Sequence, residues 1–140
     1  MQLLRWSKAH EVYVPELDAE HRGLFRLTQE LYEAVLADAP AAQVHSRFRN
    51  LVAGLDDHLA HEERLMRATG YPSYAWHKQS HDGARKKAKK WAQVAERGDR
   101  ETLEPILREL AAWLKEHLAL ADLLMAAHLR NYRRTNRIAS

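Results

Sequence analysis

The chain contains no cysteine. That single absence excludes disulfides, iron–sulfur clusters, thiolate zinc sites and cysteine nucleophiles. Glycine (5) and proline (4) are scarce among 140 residues, too few for an all-β fold built on many tight turns. Nowhere do about 18 uncharged apolar residues run together, so no membrane span is expected. The opening MQLLRWSKAHEVYV lacks the apolar run of a signal peptide, and a cytoplasmic protein is the expectation. An excess of one charge is missing as well. Lys and Arg number 22 against 19 Asp and Glu, a net +3, too small to argue for a nucleic-acid partner.

What is present is ordinary for a folded domain, at 46% hydrophobic and 29% charged residues. The length suits one domain with a real core. Interruptions are few: Pro40, the run Gly70-Tyr71-Pro72-Ser73, and Gly98-Asp99. Between them lie four segments of helical length. The first, about 18–36, carries His21, Leu24, Thr28, Leu31 and Val35 at three-four spacing, with Asp18 as its expected N-cap. The second, about 41–68, carries Phe48, Leu51, Leu55, His58, Glu62 and Leu65. The third, about 73–97, carries Tyr74, His77, His81, Ala84, Ala88 and Trp91. The fourth, about 102–132, carries Ile106, Leu110, Trp113, His117 and Leu124, with Pro105 in its first turn. The simplest assembly is all-α: an up-down-up-down four-helix bundle. Residues 1–17 read as an extended N-terminal arm, 18–132 as the bundle, and 133–140 as a basic tail.

The informative feature is what interrupts the apolar stripes. His21, His58, Glu62, His77, His81, His117 and Asp122 occupy or adjoin positions that otherwise hold core residues. Burying such groups is costly unless they are paired or bind metal. Residues four apart share a helix face, so His58 with Glu62, and His77 with His81, can each reach one point. His117 and Asp122 are five apart, about 140° around a regular helix. Either Asp122 reaches in from a neighbouring stripe or the helix is locally widened, as in a π-type turn. Seven donors are too many for one ion and suit two. Five imidazoles, two bridging carboxylates and one bridging solvent oxygen fall one bond short of saturating two octahedral ions. The set favours iron, manganese or zinc over soft metals.

These residues resemble the hemerythrin family, in particular its single-domain bacterial form. The matching motifs are LDAEH at 17–21, HLAHEE at 58–63, GYPSYAWHKQSH at 70–81 and WLKEHLALAD at 113–122. The resemblance runs from about Trp6 to about residue 128. It implies two iron ions with an oxo or hydroxo bridge. One ion would be held by His77, His81 and His117, the other by His21 and His58, with Glu62 and Asp122 bridging. It further implies O2 as the partner, taken up as hydroperoxide at the open position of the His21/His58 iron, for storage, delivery or sensing. The implied pocket walls are Leu24, Leu55, Leu59, Trp113, Leu114 and Leu118. Two aromatics common in the family are absent, with Leu59 and Ala84 in their places. Those smaller side chains are expected to loosen the pocket.

No general base or substrate-sized polar pocket is evident, which favours binding over catalysis. The alternative is a diiron enzyme acting on O2, peroxide or NO, and a third reading is an interaction or signalling module. His61 is expected to face solvent, as are His10, His45 and His128 at the surface or bundle ends. Glu20 and Glu63 are candidate acceptors for imidazole N–H groups, with an exposed role expected more for Glu63. The basic runs at 85–90 and 130–137 read as solvated surface and a frayed end, with an acidic protein partner for the tail as the minor reading. A monomer is expected.

Overall fold

The computed structural model describes residues 2–97 and 100–139. A short 3-10 turn, Lys8–His10, lies within the arm, and four helices follow: α1 Pro15–Leu36, α2 Ala41–Ala68, α3 Tyr74–Ala95 and α4 Arg100–His117. A π-helical turn, Leu118–Asp122, joins α4 to α5, Leu123–Ala139. The described residues contain no strand. α1 packs on α2 and α4, α2 on α3, and α3 on α4, with α5 reaching α2. That is the ring of neighbours of an up-down-up-down bundle in which α4, the π turn and α5 make the fourth rod.

The stripes become the core. Leu17, Leu31, Leu51, Leu59, Leu107 and Leu129 are fully buried, each stabilising the fold by about 1.5–3 kcal/mol relative to exposure. Two chain reversals set the register. At the end of α2, Tyr71 N–H donates to Met66 O and Gly70 N–H to Arg67 O. Gly70 has φ of +62°, the left-handed conformation this double closure demands. Asp38 (φ +52°) takes the same role after α1, with Ala39 N–H on Ala34 O and Asp38 N–H on Val35 O.

Several boundaries differ from the sequence reading. α1 begins at Pro15, so Asp18 lies inside its first turn rather than capping it. Its buried carboxylate instead accepts from Val12 N–H (2.8 Å) and Tyr13 N–H (3.1 Å) and pins the arm to the bundle. Val12 and Val14 are thereby almost fully buried. The fourth rod starts at Arg100, which places Pro105 past the first turn, on the exposed side. α5 continues to Ala139 through most of the segment read as a tail, and Ser140 lies outside the described residues.

Candidate metal centre

α1 contributes His21, α2 contributes His58 and Glu62, and α3 contributes His77 and His81, all on regular helix. The fourth rod achieves the same convergence differently. The π turn over 118–122 widens the helix, so that five residues make about one full turn and Asp122 comes to lie over His117. The extra residue shifts the phase of everything downstream. Met125, Ala126 and Leu129 face the core, whereas Leu124, placed on the stripe by a regular repeat, is 50% exposed.

All seven side chains are buried. Their donor atoms form two groups: Glu62, His77, His81, His117 and Asp122, and then His21, His58, Glu62 and Asp122. The two carboxylates belong to both and divide their oxygens between them. Glu62 Oε2 faces His58 Nε2 (3.3 Å) and His21 Nε2 (3.5 Å), while Oε1 faces His81 Nε2 (3.1 Å) and His77 Nε2 (3.3 Å). Asp122 Oδ2 faces His21 Nε2 (3.1 Å), while Oδ1 faces His117 Nε2 (3.0 Å) and His77 Nε2 (3.1 Å). Both Glu62 oxygens, Asp122 Oδ1 and both His21 nitrogens are buried yet lack a partner with hydrogen-bond geometry. The donors therefore aim at common points rather than at one another. His117 Nε2 lies 3.1 Å from both His77 Nε2 and His81 Nε2. That is about the separation of cis ligands around an ion held at about 2.1 Å. The residues fit a pair of metal ions.

The electrostatics agree. Burial pushes Glu62 up, but His58 and the other imidazoles outweigh it and hold the carboxyl well below its usual range. Burial and Glu62 push Asp122 up, and His117 and His21 carry it below the usual range. Burial pulls His58 down, yet Glu62 and Glu20 leave it at about 10. Against the same burial, Asp122 and Glu62 raise His77 to about 9. Two ionised carboxylates in a buried site draw positive charge, and metal uptake would displace the protons that otherwise supply it.

Groups around the cluster fix the rings. Glu20 Oε1 accepts from His58 Nδ1–H at 2.6 Å, and Glu63 Oε2 accepts from His81 Nδ1–H at 2.9 Å. Each acceptor sets the tautomer that leaves Nε2 free for metal. His117 Nδ1 lies 3.0 Å from Ser80 Oγ, and Trp113 stacks on the His117 ring with centroids 4.5 Å apart. Glu63 is not the exposed carboxylate expected from sequence. It is buried and also accepts from Arg85 at 2.6 Å, a residue on the next helix that local spacing could not associate with it. His61 is half-buried rather than fully solvent-facing, because it donates to Glu20 Oε2 at 2.6 Å. His10 packs against Trp6 and Phe25, and His128 contacts Thr69.

A small, largely enclosed cavity of about 10 Å³, the size of one water, adjoins the cluster at His21, His58, His117 and Asp122. Leu24, Leu59, Trp113, Leu114 and Leu118 line it. Leu55 lines a separate cleft between α2 and α3 instead. Phe25, which sequence reasoning missed, completes the wall. Its place on the α1 stripe, one residue after Leu24, was the available signal. Leu59 lines this cavity and Ala84 does not. Both are buried, and Phe25 and Trp113 supply aromatic walls from other helices.

The profile of the Hemerythrin HHE cation binding domain matches residues 12–129. The chain is 30% identical over 131 residues to a bacteriohemerythrin of Aquifex aeolicus, covering 91% of this chain and 98% of that protein. It is 28% identical over 138 residues to a bacteriohemerythrin of Stenotrophomonas maltophilia, covering 96% and 89%. It is 32% identical over 77 residues to a myohemerythrin of Theromyzon tessulatum, covering 55% and 58%. The matched span takes in all seven converging donors as well as the helices that carry them, and the chain belongs to the hemerythrin family.

Proposed function

We propose that the chain is a non-haem diiron protein that binds O2 reversibly, with His77, His81 and His117 holding one iron, His21 and His58 the other, and Glu62 and Asp122 bridging. One observation carries the reading: each carboxylate gives one oxygen to each donor group, and the two groups differ by one imidazole. The poorer group would have room for a further ligand, and a small cavity touching both of its imidazoles supports that reading. When bound, a reduced iron pair supplies two electrons to O2 and recovers them on release.

The chain's own residues do the rest. Leu24, Phe25, Leu59, Leu114 and Leu118 exclude water, which limits proton access to the ligand. A space of about 10 Å³ is too small for an organic substrate, which favours a carrier over an oxidase. Glu20 and Glu63 keep two imidazoles aimed inward. No helix among the described residues is long and apolar enough to cross a membrane. A cytoplasmic location, a monomeric state and a role in O2 storage or delivery form part of the proposal.

The test is to load the protein with iron, reduce it without air, admit air and then purge the oxygen. A visible band that appears and then bleaches is the expected result. Irreversible passage to the diferric state would overturn the carrier reading.

A further inference from the structure

A second space in the molecule has nothing to do with metal. Between α2 and α3 lies an open cleft of about 420 Å³, within the usual size of small-molecule sites. Val52, Ala53, Leu55, Leu59, Ala88 and Ala92 form its apolar floor and walls. It exists because alanine stands at 53, 88 and 92, where two packed helices would ordinarily place larger side chains.

Charge is distributed unevenly along it. Arg85 Nε lies 3.0 Å from Asp56 Oδ1, which fixes the register of the antiparallel helices. Arg49 is therefore brought toward Ala92 and Lys89, at the opposite end from that ion pair. Arg85 is already neutralised by Asp56, Glu63 and Asp82. Arg49 and Lys89 line the cleft and have no ion pair among the described residues. The trough thus carries Arg49 at one end and Lys89 midway, neither in an ion pair among the described residues, and beyond them apolar residues run past the Asp56–Arg85 pair toward Leu59. From 85 to 92 the helix rises about 10 Å. That length and polarity match an extended acyl chain with an anionic head.

We propose that the α2/α3 cleft binds a free medium-chain carboxylate, its head between Arg49 and Lys89 and its chain along Ala53, Ala88 and Leu55 toward Leu59. The proposal is independent of the metal-site reading, because the cleft shares only the Leu59 wall with the cavity beside the cluster. It also gives Lys89, part of the basic run at 85–90, a role that solvated surface does not require.

Calorimetric titration of the metal-loaded chain with hexanoate, octanoate and decanoate, below their micelle concentrations, tests it. Affinity is expected to rise about threefold to tenfold for each added pair of methylenes, less than the roughly fifteenfold of full burial because the cleft is open on one side. Decylamine, with the same chain and the opposite charge, should bind at least tenfold more weakly than decanoate. Lys89→Glu, at an exposed position, and Ala53→Phe, which fills the trough, should each weaken decanoate at least tenfold. Both should keep the metal content and helical circular dichroism of the parent. Absence of binding, equal binding of decylamine and decanoate, or indifference to both substitutions would overturn the proposal.

Discussion

On the α3 and α4 side of the cluster three imidazoles converge, and two of them are held firmly from behind. Glu63, itself tied to Arg85, grips His81, and Trp113 and Ser80 flank His117. On the α1 and α2 side there are two imidazoles. His58 is held by Glu20, while His21 Nδ1, like His77 Nδ1 on the first side, has no hydrogen-bond partner among the described residues. The cavity touches both imidazoles of that second side and, of the first side's three, only His117. The two sides thus differ by one imidazole, and under the proposed function the richer side retains its ion while the poorer one exchanges a ligand. Saturation and stiff backing keep an ion, whereas one missing donor beside an apolar space leaves room for a ligand.

Removing what the sides share should have the largest effect. Glu62→Ala takes one oxygen from each group, and metal content is expected to fall below half of the parent's by elemental analysis. A metal content equal to the parent's would show that Glu62 does not bridge. A smaller change sharpens the contrast between sides. Glu63→Gln and Glu20→Gln each weaken the acceptor behind one imidazole, with an expected loss of about 10–100-fold in metal affinity. Competition with a chelator should show the tighter-held ion affected by Glu63→Gln and the weaker-held ion by Glu20→Gln. If the pattern reverses, the assignment of the sides is wrong.

A third effect follows from protons in the metal-free protein. His58 and His77 are raised to about 10 and about 9 from an ordinary value near 6.5. Groups raised on folding add stability that is complete below the unfolded value and is lost as pH rises through the folded one. The Tm of metal-free protein should therefore fall between pH 7 and about 10, and the metal-loaded protein should fall less. Equal behaviour of the two would show that metal does not replace those protons.

The smallest effect is expected where the backbone looks most unusual. Deleting Ala119 removes the extra residue of the π turn. His117 and Asp122 would then be four apart on a regular helix and still share a face. Met125, Ala126 and Leu129 would keep facing the core. Metal content should stay within about twofold of the parent, with Tm unchanged or higher. Loss of the metal would show that the widened turn itself shapes the site.

The seven donors were legible in the sequence because each is a polar residue set in or beside an apolar stripe. The awkward spacing of His117 and Asp122 left two readings open, a reach from a neighbouring stripe or a widened helix, and the structure takes the second. Leu124 was misplaced for the same reason, since a regular repeat carried past Asp122 loses the phase. Glu63 and Phe25 were not legible in their roles. Glu63 takes its partner Arg85 from the next helix, 22 residues on, and Phe25 closes a cavity bounded by α1, α2 and the fourth rod. Such contacts depend on how rods are rotated against each other, which no local spacing encodes.

By itself, the sequence determined the four helical segments and the seven polar residues that converge between them, because helical period and residue chemistry are local properties. Tertiary structure alone decided how each carboxylate divides its oxygens and which aromatics seal the cavity. It also decided that Ala53, Ala88 and Ala92 leave an open cleft between α2 and α3. Those outcomes are set by interlocking side chains from different helices, and packing of that kind exists only once the bundle has closed.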